Sequence, residues 1–191
     1  MRGLRLGRGG GPLKILGLDL SLSGTGVALV VDGVAGERWL LKTSADVTDM
    51  DRYEYVARTV VGIIFGQDSN AVVDLVVCEG VYASRNLLTF GRLTALSAVV
   101  QYALHRSQIP YSILPPAAWR KIVFGPNSKV DKERLRTYAA TRLKAHLGTI
   151  DVERVDLNVL EATLIGLAGW KVALDPSLLP ARTRRKTKSG E

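Results

Sequence analysis

The sequence has few of the residues on which several classes of protein depend. It contains one cysteine, Cys78, and two histidines among 191 residues, and aromatic residues make up 6% of the chain. A single cysteine cannot form an internal disulfide, which excludes a disulfide-stabilised domain. His105 and His146 are isolated in helical patterns, so we assign them to packing or to the surface. Because no uninterrupted apolar run approaches a membrane span and the Arg/Gly-rich start is unlike a signal peptide, we expect a soluble, cytoplasmic protein.

The composition is that of a globular protein with basic ends. Hydrophobic residues make up 47% of the chain and charged residues 23%, which excludes wholesale disorder. The length suits one domain. We predict a flexible basic arm over residues 1–13, a single domain over 14–176 and a basic disordered tail over 177–191.

The distribution of charge favours a polyanionic partner. The formal net charge is +8, and residues 1–14 and 180–191 account for all of it, with nine basic residues against one acid. Residues 120–144 add eight basic residues against Asp131 and Glu133, an excess that would suit a phosphate backbone. The alternative is a solvated helix face with two tails that bind nothing specific.

Apolar periodicity predicts strands that alternate with helices. Short apolar runs between turn residues predict strands, Asp32-Gly33 predicts a hairpin, and apolar residues at helical spacing predict helices. The predicted strands are 14–20, 27–31, 38–42, 72–79 and 111–114, and the predicted helices are 48–64, 87–105, 117–124, 130–147 and 157–174. This order implies an α/β fold with a mixed five-stranded sheet, three antiparallel leading strands followed by parallel ones, flanked by helices on both faces.

Two carboxylates lie where apolar strands end. Asp19 ends the run LGLD and Glu79 ends VVDLVVCE. A charged group among buried neighbours is costly unless it is paired or bound to a metal. If the two strands are neighbours, both carboxylates lie at one edge of the sheet, where a divalent cation relieves their repulsion. Alternatively, Asp19 caps the SLSGTG turn and Glu79 lies in solvent.

The last predicted helix contributes further oxygen donors. It is apolar nearly all round, yet it contains Glu161, with Asn158 one turn earlier and Asp156 at its start as a natural N-cap. Asp19, Glu79, Glu161 and a fourth oxygen donor would form the hard ligand set that Mg²⁺ prefers. Two such ions activate a water and stabilise the leaving oxygen of a phosphodiester. Alternatively, Glu161 pairs with a nearby arginine.

The order of these segments resembles the RuvC-like Holliday-junction resolvases, above all their short phage-encoded branch, within the RNase H-like superfamily. ILGLDLSLSGTGVAL resembles the opening aspartate strand of the family with its Ser/Gly turn, and VVCEGVYAS resembles its second acidic strand. ILPPAAWRKIVFG with SKVDKERLR resembles the basic segment before the long third helix, and LNVLEATLIGLAG resembles the closing acidic helix. The resemblance covers about residues 14–170 and implies an RNase H-like nuclease domain.

The resemblance also implies an activity and a set of catalytic residues. It implies a homodimer with two Mg²⁺-dependent active sites, in which Mn²⁺ substitutes, that nick opposite strands of a four-way DNA junction; if the chain is phage-encoded, it acts in the host cytoplasm. No nucleotide cofactor and no membrane partner are expected. Asp19, Glu79 and Glu161 fall on catalytic, metal-binding acids. The family usually has an acid where this chain has Asn158, so Asn158 by position or Asp156 by chemistry would complete the metal site.

Basic and aromatic residues fall on positions that contact DNA in the resemblance. Lys132 falls on a basic residue near the active site, and either Arg120 or Lys121 falls on a second. Tyr82 falls where an aromatic ring stacks on junction bases, the alternative being a ring packed under a loop. The residues that we expect to bind DNA are Tyr82, Arg120, Lys121, Lys129, Lys132, Arg134 and Arg136.

Three other functions compete with this interpretation. A junction-binding protein without cleavage is the main one, because Asn158 replaces an acid. A ribonuclease H acts on RNA–DNA hybrids, and a phosphotransferase of the actin/hexokinase type, which opens with a similar strand and turn, needs two such domains to enclose ATP. The apolar helix over 87–105 is either a dimer surface or a core helix. We assign Trp39, Trp119 and Trp170 to core or interface packing.

Overall fold

The computed structural model describes residues 11–66, 73–82, 86–125 and 132–179, with the backbone alone for residues 132 and 133. Most of the predicted basic arm and tail lies outside these ranges. The described strands are β1 (Lys14–Asp19), β2 (Gly24–Val31), β3 (Val34–Lys42), β4 (Leu75–Glu79) and β5 (Tyr111–Leu114). The described α-helices are α1 (Asp49–Phe65), α2 (Leu87–Arg106), α3 (Pro116–Phe124), α4 (Lys132–Arg142) and α5 (Leu157–Leu174).

The five strands form one mixed sheet in the order β3-β2-β1-β4-β5. β1, β2 and β3 pair antiparallel, whereas β4 pairs parallel with β1 and with β5. Asp32 and Gly33 form the tight turn between β2 and β3, and their φ angles of 48° and 79° are those of a two-residue hairpin. β2 and β3 begin earlier than their apolar runs, at Gly24 and Val34, because the backbone pairing continues through small and polar residues. The predicted mixed α/β sheet is confirmed.

Helices cover both faces of the sheet, and each face carries its own apolar core. Because successive side chains of a strand point to opposite faces, Ile15 packs with α3, α4 and α5, whereas Leu16 packs with α1 and α2. In β4, Val77 packs on the same side as Ile15, and Cys78 packs on the same side as Leu16. We call the two sides the α5 face and the α1 face. Burial on the α1 face raises the pKa of the Cys78 thiol to about 12, so it stays protonated and unreactive at neutral pH.

α5 lies in direct contact with the backbone of the sheet. A Cβ atom at Gly17 would lie 2.0 Å from the carbonyl oxygen of Ala162, and one at Gly26 would lie 2.1 Å from that of Asn158. Glycine in β1 and β2 therefore permits the close approach of the helix. As a result, α5 is buried at every position from Val159 to Gly169.

α2 and α5 differ in how much of their apolar surface is covered. Both are long and apolar enough to cross a membrane by length and composition, with a mean hydropathy of 1.3 over an 18-residue window, although Arg92 and Gln101 in α2 and Glu161 in α5 interrupt the apolar run. In α5, 61% of the window is buried, as expected of a core helix. In α2, only 22% is buried, so most of its surface is not covered by the described residues.

The chain after α4 differs from the single helix that the sequence pattern predicts over 130–147. α4 ends at Arg142, because Leu143 leaves helical geometry with a φ of −120°. A short 3-10 turn follows, and it allows both Leu143 and Leu147 to enter the core of the α5 face. Tertiary packing therefore ends this helix earlier than its periodicity indicates.

Gly17→Ala should strongly destabilise the domain, because the new methyl group meets backbone atoms of α5. We expect the free energy of unfolding to fall by about 3 kcal/mol, the upper end of the usual cost of overpacking, as measured by chemical denaturation. Gly36→Ala in β3 is the matched control, since a Cβ there has its nearest neighbour at 3.5 Å. Equal stability of the two variants would contradict the close approach of α5.

An ion pair joins the two helices of the α1 face. The guanidinium of Arg92 in α2 donates to the carboxylate of Asp49 in the first turn of α1, with 2.7 Å between Nε and Oδ2. Arg52 Nη1 lies 3.7 Å from the same carboxylate. The hydrogen bond from Arg92 is the main cause that holds the pKa of Asp49 below its usual value.

Asp49→Asn should therefore destabilise the protein at neutral pH but not in acid. A carboxyl group with a lowered folded-state pKa stabilises the fold above its unfolded pKa of about 3.9, and this stabilisation is lost as the pH falls through the folded value. Thermal melts of the two proteins should give a lower Tm for the variant at pH 7 and Tm values that converge as the pH falls through the lowered folded-state pKa of Asp49. A Tm difference that does not change with pH would show that the ion pair contributes nothing.

Candidate active site

Two carboxylates end neighbouring parallel strands. Asp19 is the last residue of β1 and Glu79 is the last residue of β4. The pair Leu18 and Cys78 is in register immediately before them, so the two acids follow side by side at the carboxyl edge of the sheet. Asp19 is only 7% exposed, and a carboxylate with so little access to water depends on neighbouring groups to offset its charge.

Both side chains belong to the α5 face. Residues two apart on a strand share a face, and Gly17 and Val77, two residues before these acids, lie against α5. The strand-end carboxylates therefore point toward α5 and away from α1 and α2. The sequence predicts the shared edge of the sheet but not the face.

Glu161 lies in the part of α5 that packs on β1 and β2. Asn158, one turn earlier in α5, lies against Gly26, the residue that pairs with Asp19. The Glu161 side chain is 4% exposed, and Nη2 of Arg120 lies 3.2 Å from its Oε1 atom. Such a buried carboxylate needs a charged partner. The arginine pairing that the sequence left open as an alternative is thus present.

α3 supplies a second contact to the acids, and the sequence analysis missed it. Trp119 is fully buried, and its Nε1–H donates to Oε1 of Glu79 at 2.7 Å. The guanidinium of Arg120 stacks on the Trp119 ring, 4.9 Å from the centroid. The one signal in the sequence is that Trp119 directly precedes Arg120. The direction of the indole toward Glu79 depends on how α3 packs.

Asn158 and Asp156 have different roles at the start of α5. Nδ2 of Asn158 donates to the carbonyl oxygen of Gly24 at 2.6 Å, which ties α5 to the start of β2. Asp156 is the N-cap, where its Oδ1 accepts from the backbone N–H of Asn158 at 2.9 Å. Asp156 is exposed, whereas Asn158 is partly buried. Both residues therefore already hold local structure in place.

The donor set fits a hard divalent cation in chemistry, since Asp19, Glu79 and Glu161 offer oxygen ligands alone. Their placement does not yet form a site: among the described residues, no three His, Cys, Asp or Glu side chains are grouped so that they could hold one metal ion. Glu79 and Glu161 instead accept from Trp119 and Arg120. A shared ion would therefore require these side chains to rotate from their present positions.

Arg120 and Lys121, the two alternatives for the second basic position in the resemblance, have different surroundings. Arg120 is turned toward Glu161, whereas Lys121 is exposed. Lys132 begins α4, but its side chain is outside the described part of the chain, and Lys129 lies outside the described ranges altogether.

The other predicted DNA contacts are divided between exposed and structural positions. Arg134 is exposed on α4, whereas Arg136 donates to the carbonyl oxygen of Val152 and so also holds the following loop. Tyr82, three residues after Glu79, is 79% exposed. Its ring is therefore not packed under any loop of the described residues.

Asn158→Asp should destabilise the domain, although it supplies the missing acid. A carboxylate cannot donate to the Gly24 carbonyl, and two acceptor oxygens would face each other at hydrogen-bond distance. We expect the free energy of unfolding at pH 7 to fall by about 1–3 kcal/mol, as measured by urea denaturation.

Asn86→Asp is the matched control for this substitution. Asn86 caps α2 as an acceptor from the N–H of Thr89, a role that aspartate also fills. The control should keep wild-type stability. A similarly stable Asn158→Asp protein would contradict the structural role of the Asn158 amide.

Comparison with known proteins identifies the fold. No protein family profile and no curated protein sequence matches this chain. RuvC of Thermus thermophilus in complex with a Holliday junction substrate matches with a TM-score of 0.69 and 15% identity over 85% of this chain and 95% of that one. A second T. thermophilus RuvC structure gives the same TM-score and identity over 85% of this chain and 96% of that one. The yeast mitochondrial Holliday junction resolvase Ydc2 matches with a TM-score of 0.59 and 14% identity over 90% of this chain and 85% of that one.

These matches span nearly the whole of each protein, and at such low identity they establish the fold alone. The chain therefore has the RNase H-like fold of the RuvC-type resolvases.

Proposed function

We propose that this chain is a metal-dependent endonuclease that resolves four-way (Holliday) junctions and related branched DNA. The observation that carries the proposal is that Asp19 and Glu79 end neighbouring parallel strands on the face that α5 covers, and that α5 contributes the buried Glu161. The similar structures include a RuvC bound to a Holliday junction substrate and the Ydc2 resolvase. Their fold and these three acids together support phosphodiester cleavage in a branched DNA.

The acids are proposed to hold two Mg²⁺ ions, with Mn²⁺ as a substitute. Asp19, Glu79 and Glu161 are the charged ligands, and we place Asn158 ahead of Asp156 as the fourth donor, because Asp156 is exposed and caps α5. Bound magnesium supplies an activated water and positive charge at the scissile phosphate.

Two basic residues would add fixed positive charge beside the acids. Arg120 already lies next to Glu161, with its guanidinium supported by the Trp119 ring. Positioned there, it would offset the charge that develops on the phosphate during cleavage. Lys132, at the start of α4, is proposed for the same task.

The DNA is proposed to approach along the edge that carries the acids. Tyr82 offers an exposed ring close in sequence to Glu79, suited to stacking on an unpaired base. Lys121 and Arg134 are exposed and suited to phosphate contacts. Because most of these interactions are with phosphate, the affinity should fall steeply with salt.

Paired nicks require two active sites related by twofold symmetry, and α2 is the proposed dimer surface. Leu96, Val100 and Leu104 are buried in the α1 face. Leu87 and Leu88 at the start of the same helix are 78% and 72% exposed. A second copy packed on α2 would cover them.

The second candidate function is junction binding without cleavage. Asn158 replaces an acid, and its amide nitrogen is committed to the Gly24 carbonyl. Glu161 is committed to Arg120. If these contacts persist when DNA and magnesium bind, the site lacks the charge that two metal ions need.

Asp19→Asn and Glu79→Gln should abolish cleavage and preserve junction binding. Loss of a metal ligand should lower the cleavage rate by more than about 100-fold, because even outer-sphere substitutions cost 10–100-fold. Binding should be equal or tighter, since repulsion between the acids and phosphate is reduced. Glu54→Gln, an exposed substitution on α1, is the matched control and should cleave like wild type.

The measurement is a gel assay with four-way, Y-shaped and linear DNA and an RNA–DNA hybrid, in Mg²⁺, Mn²⁺ or Ca²⁺. The proposal expects paired nicks in the four-way junction, in Mg²⁺ or Mn²⁺. Junction binding in Ca²⁺ with no nicking in Mg²⁺ or Mn²⁺ would support the binding protein instead. Preferential cutting of the hybrid would indicate a ribonuclease H.

A further inference from the structure

We propose that Trp119 is a positioning residue, whose indole N–H fixes the orientation of the Glu79 carboxylate. The effect on cleavage rests on the proposed nuclease function, whereas the hydrogen bond can be tested without any activity. The sequence pattern alone predicts core or interface packing for Trp119.

The contact joins a fully buried indole to an acid of the candidate site. Trp119 Nε1 lies 2.7 Å from Glu79 Oε1, and the ring has no exposed surface. A buried indole N–H needs an acceptor, because an unmade hydrogen bond in the interior costs about 1–3 kcal/mol. Many packing arrangements would satisfy it with a backbone carbonyl. Here the acceptor is the carboxylate at the end of β4.

The backbone around α3 fixes the distance between these two groups. Glu79 is in register with Leu114, the last residue of β5, and Gly80 N–H donates to the Leu114 carbonyl at 2.8 Å. α3 begins directly afterwards, and the backbone N–H of Trp119 donates to the Pro115 carbonyl at 3.1 Å. The sheet register and the first turn of α3 therefore place the indole and the carboxylate opposite each other.

The ring itself has little freedom to turn. On one side it packs with Phe124, with 6.3 Å between ring centroids. The Arg120 guanidinium lies over it at 4.9 Å. A rigid donor of this kind determines the direction of the acceptor lone pair, which is what a metal ligand or a general base needs.

The two adjacent residues of α3 differ in the kind of donor they offer. Arg120 brings a full positive charge to Glu161. The indole of Trp119 is a neutral donor, so its contact with Glu79 gives direction and adds no charge.

A packing role predicts different behaviour from a positioning role. If Trp119 only fills space, Trp119→Phe lowers stability and scales the cleavage rate equally at every Mg²⁺ concentration. If it positions Glu79, loss of the donor leaves a metal ligand less well oriented, so a higher Mg²⁺ concentration is needed for half-maximal cleavage.

The first experiment compares the indole N–H signals of the full-length ¹⁵N-labelled wild type and of Glu79→Gln by NMR at one pH. The chain has three tryptophans, so Trp39→Phe and Trp170→Phe assign the Trp119 signal by elimination. We expect the Trp119 signal to move upfield in Glu79→Gln, because an amide oxygen is a weaker acceptor than a carboxylate, and the other two indole signals to stay in place. A Trp119 signal at the same position in both proteins would overturn the proposal.

The second experiment measures junction cleavage by Trp119→Phe as a function of Mg²⁺ concentration. Trp170→Phe is the matched control, because Trp170 lies against Gly33 at the far end of α5. We expect Trp119→Phe to need about 10–100-fold more Mg²⁺ for half-maximal cleavage, and Trp170→Phe to keep the wild-type requirement. An unchanged Mg²⁺ requirement in a folded, active Trp119→Phe protein would overturn the positioning role.

The two experiments separate failure of this proposal from failure of the nuclease. If wild type does not cut any junction but the Trp119 signal changes in Glu79→Gln, the hydrogen bond is confirmed and the nuclease function is wrong. If wild type cuts junctions and the Trp119 signal is the same in Glu79→Gln, the nuclease function is confirmed and the positioning role is wrong. Should Trp119→Phe not fold, the NMR measurement on wild type and Glu79→Gln still decides the matter.

Discussion

The contact on which the rest of the molecule depends is the approach of α5 to the backbone of β1 and β2. Gly17 and Gly26 leave no side chain between helix and sheet, so the carbonyl oxygens of Ala162 and Asn158 lie where Cβ atoms would be. The two glycines therefore hold the turn of α5 that carries Glu161 directly against β1, which ends at Asp19, and its neighbour β2.

Such close packing concentrates negative charge, and α3 carries the compensation. Asp19 and Glu161 are 7% and 3% exposed, and burial of several anions at one edge is unfavourable without partners. α3 begins where β5 ends, beside Glu79, so its residues meet the acids as soon as they leave the sheet. The helix supplies an indole to one acid and a guanidinium to another. Any cation that joins them enters a site whose electrostatics the protein has already partly balanced.

The sequence predicts features that depend on local patterns along the chain. It does not predict features that depend on packing between distant elements. The strand pattern places Asp19 and Glu79 at one edge of the sheet, because the end of an apolar run is a local signal and the parallel pairing of β1 with β4 aligns their ends. The apolar circumference of α5 likewise predicts a core helix that carries a single acid. The contact of Trp119 and the early end of α4 depend on how helices pack across the α5 face, and no local pattern encodes that.

Asn158 shows how a departure from a family pattern acquires a physical reason. In the resemblance, Asn158 stands where an acid is usual. In the structure its Nδ2 donates to the Gly24 carbonyl where α5 meets β2, and an ionised acid could not make this hydrogen bond. That bond lies beside Gly26, at the same close approach that positions Glu161. The amide of Asn158 therefore belongs to the contact that attaches α5 to the sheet, and a carboxylate in its place would weaken that contact.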